Sequence, residues 1–376
     1  MSHTDTRLDQ IRGAMPARAH NARTIAALTS NPGCARRAIL DAAAIDKPRL
    51  ASYIGFPAPF GQSQFAITRG NAFEAQVKAN GCAELLRLLR EQLRLPIPEV
   101  SYDDLEEVGG NRGLDLRHAR TRGLLGRAAA SGADAGTLFD HPLLRLAVGG
   151  RPVYLEPDLI AFRLRGQFRV VEIKSFAAID GQADADKVAA AAIQSAVYVL
   201  ALRQLLADTG AGPPDLVSDQ VILICPENFS NRPVAAELDV RRQLTVLRRQ
   251  LSRLSRIDDL VQELPPGLTF DLELDIAGVP GRPAAELAGG LRGVAARYMP
   301  ECLASCEMCY FCRDECRGST AALGRVVRDD LGGVDYVDTA LRLASGEVEP
   351  ASEEAEAAVV LRAAARLRAE CLGEAV

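Results

Sequence analysis

Residues 153–198 read VYLEPDLIAFRLRGQFRVVEIKSFAAIDGQADADKVAAAAIQSAVY, and the order of signals in this stretch decides the fold. Segments 153–155 and 159–162 are strand-like, Arg165-Gly166-Gln167 is a turn, and 168–173 is a second strand rich in Val. A polar spacer follows, then a long apolar helical run from 184 to 206. Asp158 therefore comes early in a hairpin, and Glu172 and Lys174 close its partner strand. Side chains alternate along a strand, so Glu172 and Lys174 share one face while Ile173 points into the core. Two carboxylates and an ammonium on one rim repel or pair wastefully unless something uses them. A divalent cation would hold the carboxylates together, because hard cations take oxygen ligands. Lys174 would then orient or deprotonate a water, or steady a phosphate. On the following helix Gln194 and Tyr198 are four apart and share a face, so both can look back at the hairpin. A solvated Glu–Lys pair would account for neither Asp158 nor the Gln194/Tyr198 pair.

The whole chain has ordinary globular composition, 48% hydrophobic and 25% charged. Its 376 residues suit one large domain with appendages, or two domains. No run stands out as a bilayer-spanning helix, and the polar start MSHTDTRLDQ lacks the apolar core of a signal peptide. A cytoplasmic protein is expected. Its net charge of −5 does not advertise nucleic-acid binding, although a local basic groove needs no basic total. The nine cysteines of such a protein point to metal or catalysis rather than disulfides.

Five of those cysteines crowd RYMPECLASCEMCYFCRDECRG: Cys302, Cys306, Cys309, Cys312 and Cys316. Such thiol density favours a soft metal over scattered buried thiols. Zinc would take four of these cysteines locally. An iron–sulfur cluster could take three from here and one from afar. Cys34 opens a helix just after the Asn31-Pro32-Gly33 turn and is followed by Arg36 and Arg37. Cys82 and Cys225 read as core.

Elsewhere the pattern is coarser. Residues 1–20 look poorly ordered. Residues 64–95 read as one helix with Phe73, Val77, Leu85, Leu88 and Leu89 apolar, and Glu74 stands in its first turns. Residues 101–135, with Gly109-Gly110 and Gly113, have no phosphate-loop spacing. His141, near Asp158 in the chain, could be an alternative metal ligand but reads first as a loop histidine. Residues 221–225 are a buried strand that should lie parallel to a hairpin strand, since the connection passes through a helix. Residues 236–262 read as one amphipathic helix with an arginine face, and 268–274 as strand-like. Residues 318–376 form a helical extension ending in ASEEAEAAVVLRAAARLRAECL.

Pro157-Asp158 and Glu172-Ile173-Lys174 resemble the active-site signature of the PD-(D/E)XK nuclease superfamily. Gln194 and Tyr198 match the QxxxY signature of its RecB-like branch. The resemblance implies an α/β fold: a restriction-endonuclease-like core with a mixed central sheet flanked by helices, its helical N- and C-terminal parts joined by a metal cluster. The nuclease domain would span 21–317. Within the branch, the iron–sulfur exonucleases of CRISPR adaptation and of AddB-type complexes take one cysteine from the early position and three from the far end. That implies a 4Fe–4S cluster on Cys34, Cys306, Cys309 and Cys316, with Cys309, Cys312 and Cys316 as the alternative C-terminal set and zinc as the alternative metal. RecB-like nucleases carry a metal-ligating histidine where this chain has Glu74, a carboxylate equally able to bind Mg²⁺ or Mn²⁺. The implied cation ligands are Glu74, Asp158, Glu172 and the carbonyl of Ile173. The implied activity is metal-dependent cleavage of DNA, at single strands or ends, in repair or antiviral defence. A helicase or a defence-complex subunit would be the partner, because no Walker phosphate loop occurs in the chain. The competing expectation is a non-catalytic nucleic-acid-binding or scaffold protein on the same fold.

Overall fold

The structure is a computed structural model that describes every residue except 1, 19, 59–63, 95–100, 106–112, 131–136, 165, 211–213, 229 and 374–376. The Gly109-Gly110 pair and Arg165 of the expected hairpin turn thus lie outside the described residues. In chain order the elements begin α1 (His3–Arg12), α2 (Ala22–Ser30), α3 (Ala35–Ala42), α4 (Lys47–Tyr53) and α5 (Gln64–Glu91). Next come β1 (Ser101–Asp104), α6 (Leu114–Ala130), β2 (Thr137–Asp140), β3 (Leu144–Val148), β4 (Arg151–Leu155), β5 (Leu159–Leu164) and β6 (Gln167–Ile173). After β7 (Ala178–Ile179) and β8 (Gln182–Ala183) follow α7 (Ala185–Asp208), β9 (Gln220–Pro226), β10 (Pro233–Asp239), α8 (Arg241–Leu251) and α9 (Ile257–Gln262). The chain closes with α10 (Ala284–Arg292), α11 (Cys302–Ser305), α12 (Cys309–Glu315), α13 (Arg325–Asp330), α14 (Val337–Ser345) and α15 (Ala355–Leu372).

These elements fall into two compact units. One is assembled from Met1–Pro16, Gly33–Phe60 and Leu264–Val376, the other from Ala17–Pro32 and Gly61–Glu263.

The second unit is mixed α/β. Its sheet runs β1-β2-β5-β6-β9-β10. β5 and β6 are antiparallel, whereas β6 and β9 are parallel with Glu172 opposite Leu223. The two central strands, QFRVVEI and QVILICP, are buried almost end to end, as strands covered on both faces must be. Val171, Ile173, Ile222 and Ile224 pack on one side with Phe73, Val77, Leu85 and Leu89 of α5. Leu223 and Cys225 pack on the other with Ala191 of α7. Glu172, in register with Leu223, therefore belongs to the α7 side.

Three sequence expectations are corrected here. First, α7 is long and apolar enough to cross a membrane, at a mean hydropathy of 1.4 over its most apolar window. It is nevertheless a core helix, capped by the Asp184 side chain and burying eleven side chains from Ala191 to Leu206. Second, the helix expected over 64–95 breaks at residues 79–82, where Asn80, Gly81 and Cys82 take φ of 53°, 65° and 63°. Asn-Gly is a turn pair, and it outweighs the apolar periodicity around it. Third, the helix expected from 236 begins only at Arg241. Residues 233–239 instead pair antiparallel with β9 from Pro233↔Pro226 to Asp239↔Gln220, a long-range partner that local propensity cannot see.

The first unit is helical. Its α1 contradicts the expected disorder over 1–20: Ser2 and Asp5 form a reciprocal capping box, and Leu8 and Ile11 are buried. The strand expected at 268–274 is irregular, with a lone bridge from Leu274 to Pro280, and Phe270 and Leu272 fill the interior instead. At the C-terminal end, α14 and α15 pack around Val334, Ala340, Leu343 and Ala358.

Candidate active site and cysteine cluster

Asp158 immediately precedes β5, and its Oδ2 accepts the backbone N–H of Ile173 at 2.7 Å. That bond draws the carboxylate over the end of β6. Glu172 is 1% exposed and forms an ion pair with Lys174 through Oε1. Its other oxygen, Oε2, is buried and has no hydrogen-bond partner among the described residues. An unpaired buried carboxylate oxygen is expensive, and a ligand at this atom would relieve that cost. Burial, with Asp158 next to it, pushes the Glu172 carboxyl up to about 8. Burial also raises Asp158, against the pull of Lys174. Burial works to lower Lys174, but Glu172 and Asp158 outweigh it and the ammonium is held charged.

Tyr198 on α7 is buried and feels the same charges: burial first, then Glu172 and Asp158, hold its phenol protonated far above its usual range. Gln194 is half-buried one helical turn earlier. Ile173 has its side chain in the core and its N–H on Asp158. Glu74 is close enough to raise both Asp158 and Glu172. Its Oε1 accepts from Lys78 Nζ at 2.5 Å, and Lys78 also pairs with Asp140 at 2.7 Å.

Sequence reasoning missed this second group. Asp140 ends β2 opposite Leu159 of β5, one residue from Asp158. His141 Nδ1 lies 3.1 Å from Asp140 Oδ1 and 3.6 Å from Asp104 Oδ1. Its Nε2 lies 3.2 Å from Lys78 Nζ and 3.7 Å from Glu74 Oε1. The ligand atoms of Asp104, Asp140 and His141 lie within 4.8 Å of one another, a carboxylate–histidine site that could bind a metal. Only the β1–β2 and β2–β5 pairings bring these residues together. The sequence offered no sign beyond the Asp140-His141 dipeptide.

The carboxylates fix a pH dependence. In the metal-free protein Glu172 keeps its proton up to about 8, whereas an unfolded glutamate releases it near 4.5. Between those values the folded state binds more protons than the unfolded, so stability falls as pH rises. Thermal unfolding in chelator is expected to give a Tm that drops between about pH 5 and about pH 8, with the Glu172→Gln variant flatter over that range. A wild-type profile that rises there, or one that Gln leaves unchanged, would contradict the assignment.

In the first unit, Cys34 caps α3 and is buried, as are Cys306, Cys309 and Cys312, while Cys302 and Cys316 are part-exposed. Cys312, a member of the alternative C-terminal set, lies close enough to Cys306 and Cys34 to feel their charges. Cys302 is coupled to Cys306, Cys309 and Cys316. Burial pushes the Cys306 thiol up to about 11 and Cys312 up to about 12, against the pull of neighbouring arginines. Arg36 donates to Cys312 Sγ at 3.1 Å, and Arg37 sits near Cys306. Both guanidinium groups are buried, Arg36 against Glu315 and Arg37 against Asp41. Metal ligation requires thiolates, and two buried cations favour them. A buried cysteine cluster of this kind could bind metal. Cys82 and Cys225 are core residues, both buried, whose thiols burial pushes up to about 12.

No family model matches the chain, and no curated protein matches it. Among solved structures, a crystal structure from Eubacterium rectale carrying the name "Putative exonuclease" aligns with 57% of this chain and 79% of its own. The identity is 13% and the TM-score 0.27, a likeness too slight to argue from.

Proposed function

We propose that the second unit is a metal-dependent deoxyribonuclease with a PD-(D/E)XK, RecB-like core, and that the cysteines of the first unit carry a 4Fe–4S cluster. The observation that carries the catalytic reading is the buried Asp158–Glu172 pair with Glu172 Oε2 lacking any hydrogen-bond partner among the described residues. In support, α5 precedes the strands β2, β5 and β6, and α7 then leads to β9 parallel to β6. Asp158, Glu172, Glu74 and the carbonyl of Ile173 would hold Mg²⁺ or Mn²⁺, oxygen donors that suit either ion. The bound cation would acidify the attacking water and neutralise charge on the phosphate. Lys174, charged and beside Glu172, would orient that water or take its proton. Tyr198 and Gln194 would position Lys174 or the strand from α7.

For the cluster, Cys34, Cys306, Cys309 and Cys316 remain the proposed ligands, and the neighbourhood of Cys34, Cys306 and Cys312 makes Cys312 the competitor. DNA is the proposed substrate, with a helicase or defence-complex partner and a cytoplasmic setting that keeps the thiols reduced.

The test is cleavage of labelled single- and double-stranded DNA by anaerobically purified protein, with Mn²⁺, with Mg²⁺ and with chelator. Cation-dependent cleavage by brown protein is expected. Cluster-loaded protein that binds DNA but cuts nothing with any cation would favour the non-catalytic binding reading.

A further inference from the structure

The second unit holds a cavity of about 510 Å³ that the proposed chemistry does not use, lined among others by His118, Arg122, Arg145, Gln204, Leu205 and Asp208. Asp208 ends α7, ten residues beyond Tyr198, which at 1.5 Å per residue is about 15 Å along the helix. The volume lies within the range of small-molecule sites, roughly 300–1,000 Å³.

One wall is cationic and braced. Arg122, on α6, donates through Nη2 to the backbone carbonyl of Asp208 at 2.9 Å. Arg145, on β3, is hydrogen-bonded to the hydroxyl of Tyr154, which itself donates to Asp115. The Tyr154 ring meets His118 edge-on at 5.8 Å, and His118 Nδ1 lies 2.9 Å from the carbonyl of Leu143. That contact assigns the proton to Nδ1 and leaves Nε2 as the other ring nitrogen. A third guanidinium, Arg256, stands 3.5 Å from where a Cβ on the lining residue Gly150 would lie. A guanidinium has five donors in a planar fork, and the bonds above use few of them.

The lining also has an electronegative part, the last turn of α7, with the Asp208 and Gln204 side chains and the buried Leu205. A bare polyanion would suit the arginines and be repelled by the Asp208 carboxylate. A ligand with a phosphate at one end and uncharged hydrogen-bond donors on a flat body would satisfy both parts of the lining.

We propose that this cavity binds a nucleotide unit, its phosphate between Arg122 and Arg145 and its base edge against Gln204 and Asp208. Arginine forks match phosphate oxygens in pairs, and amide and carboxylate groups read the amino edges of bases. A free mononucleotide and the end of a strand offer the same chemistry. The inference stands on the cavity and does not depend on the nuclease reading.

The experiment uses the full-length protein in metal-free buffer, so that cleavage plays no part. Titration calorimetry compares 5′-mononucleotides, the matching nucleosides and inorganic phosphate. Anisotropy compares short single strands with a 5′-phosphate or a 5′-hydroxyl. At least one mononucleotide is expected to bind at least about tenfold more tightly than its nucleoside or phosphate, and Arg122→Ala with Arg145→Ala to remove that advantage. Both arginines are exposed, so the variants should keep the wild-type Tm, and Arg145→Gln provides a milder second variant. Dependence on the 5′-phosphate of the strands, lost in the same variants, would identify a strand-end site. Its absence beside mononucleotide binding would identify a site for free nucleotide. No mononucleotide binding, binding indifferent to both arginines, or inorganic phosphate bound as tightly as any nucleotide would each overturn the proposal.

Discussion

Lys174→Ala is expected to lower cation-dependent DNA cleavage by about 10²- to 10⁴-fold, the usual contribution of a positioned acid–base group, while Mn²⁺ binding changes little. The separation follows from where the ammonium sits. It is no oxygen donor and contributes nothing to a cation's ligand shell, but it lies against Glu172 at the end of β6. There it would stand beside a water held at the proposed cation site. Removing a carboxylate should do the opposite. Asp158→Asn or Glu172→Gln would take away a proposed ligand, and both Mn²⁺ affinity and cleavage should fall together. Mn²⁺ binding by calorimetry beside single-turnover cleavage distinguishes the two patterns. Equal cleavage by wild type and Lys174→Ala would mean that the activity, or the site, is elsewhere.

Arg36→Ala is expected to cost about 1–3 kcal/mol of stability in the first unit, the penalty for leaving the buried Val294 carbonyl without its charged donor. Arg36 is 3% exposed and anchors four groups at once. It donates from Nε and Nη2 to the carbonyl of Val294 at 3.2 and 3.1 Å and from Nη1 to Cys312 Sγ at 3.1 Å, and it pairs with Glu315. Its guanidinium also lies 5.3 Å from the ring centroid of the buried Phe311. Deletion leaves a buried carbonyl and a part-buried carboxylate without this partner, and it removes the cation nearest Cys312. Arg36→Lys should rescue little, because an ammonium cannot serve a fork. Arg241→Ala, which breaks an exposed pair with Asp239, should leave stability close to the wild type. Urea unfolding of the three variants checks the order. Broad absorbance near about 400 nm, expected of thiolate-bound iron, should be lost with Arg36→Ala and with Cys34→Ala.

What the sequence made legible was local in period or fixed by close spacing. The two-residue alternation of β6 put Glu172 and Lys174 together, and the apolar run before Cys225 announced a strand whose pairing a helical crossover made parallel. Cysteines packed into one short helix-rich segment declared themselves. The missed features share a different cause. Asp140, His141, Asp104 and Lys78 meet only because β2 pairs with β1 and β5, and β10 is a strand only because β9 is beside it. No window of local sequence contains those partners. The break at Asn80-Gly81 and the cap at Ser2 were local and visible, but were overruled by apolar spacing in one case and by polarity in the other.

The first unit draws on three separated stretches of chain, and its proposed ligands lie as far apart as Cys34 and Cys316, 282 residues (316 − 34). During synthesis at roughly 5–20 residues per second, the early thiol would wait about 15–60 s for its last companion to be made. If these cysteines share a metal, its loading would be a late event, completed only after the whole second unit has been translated. A ribosome that stalls anywhere in between leaves Cys34 without the distant sulfurs it needs. The first unit would consequently be an all-or-nothing report that translation has passed residue 316.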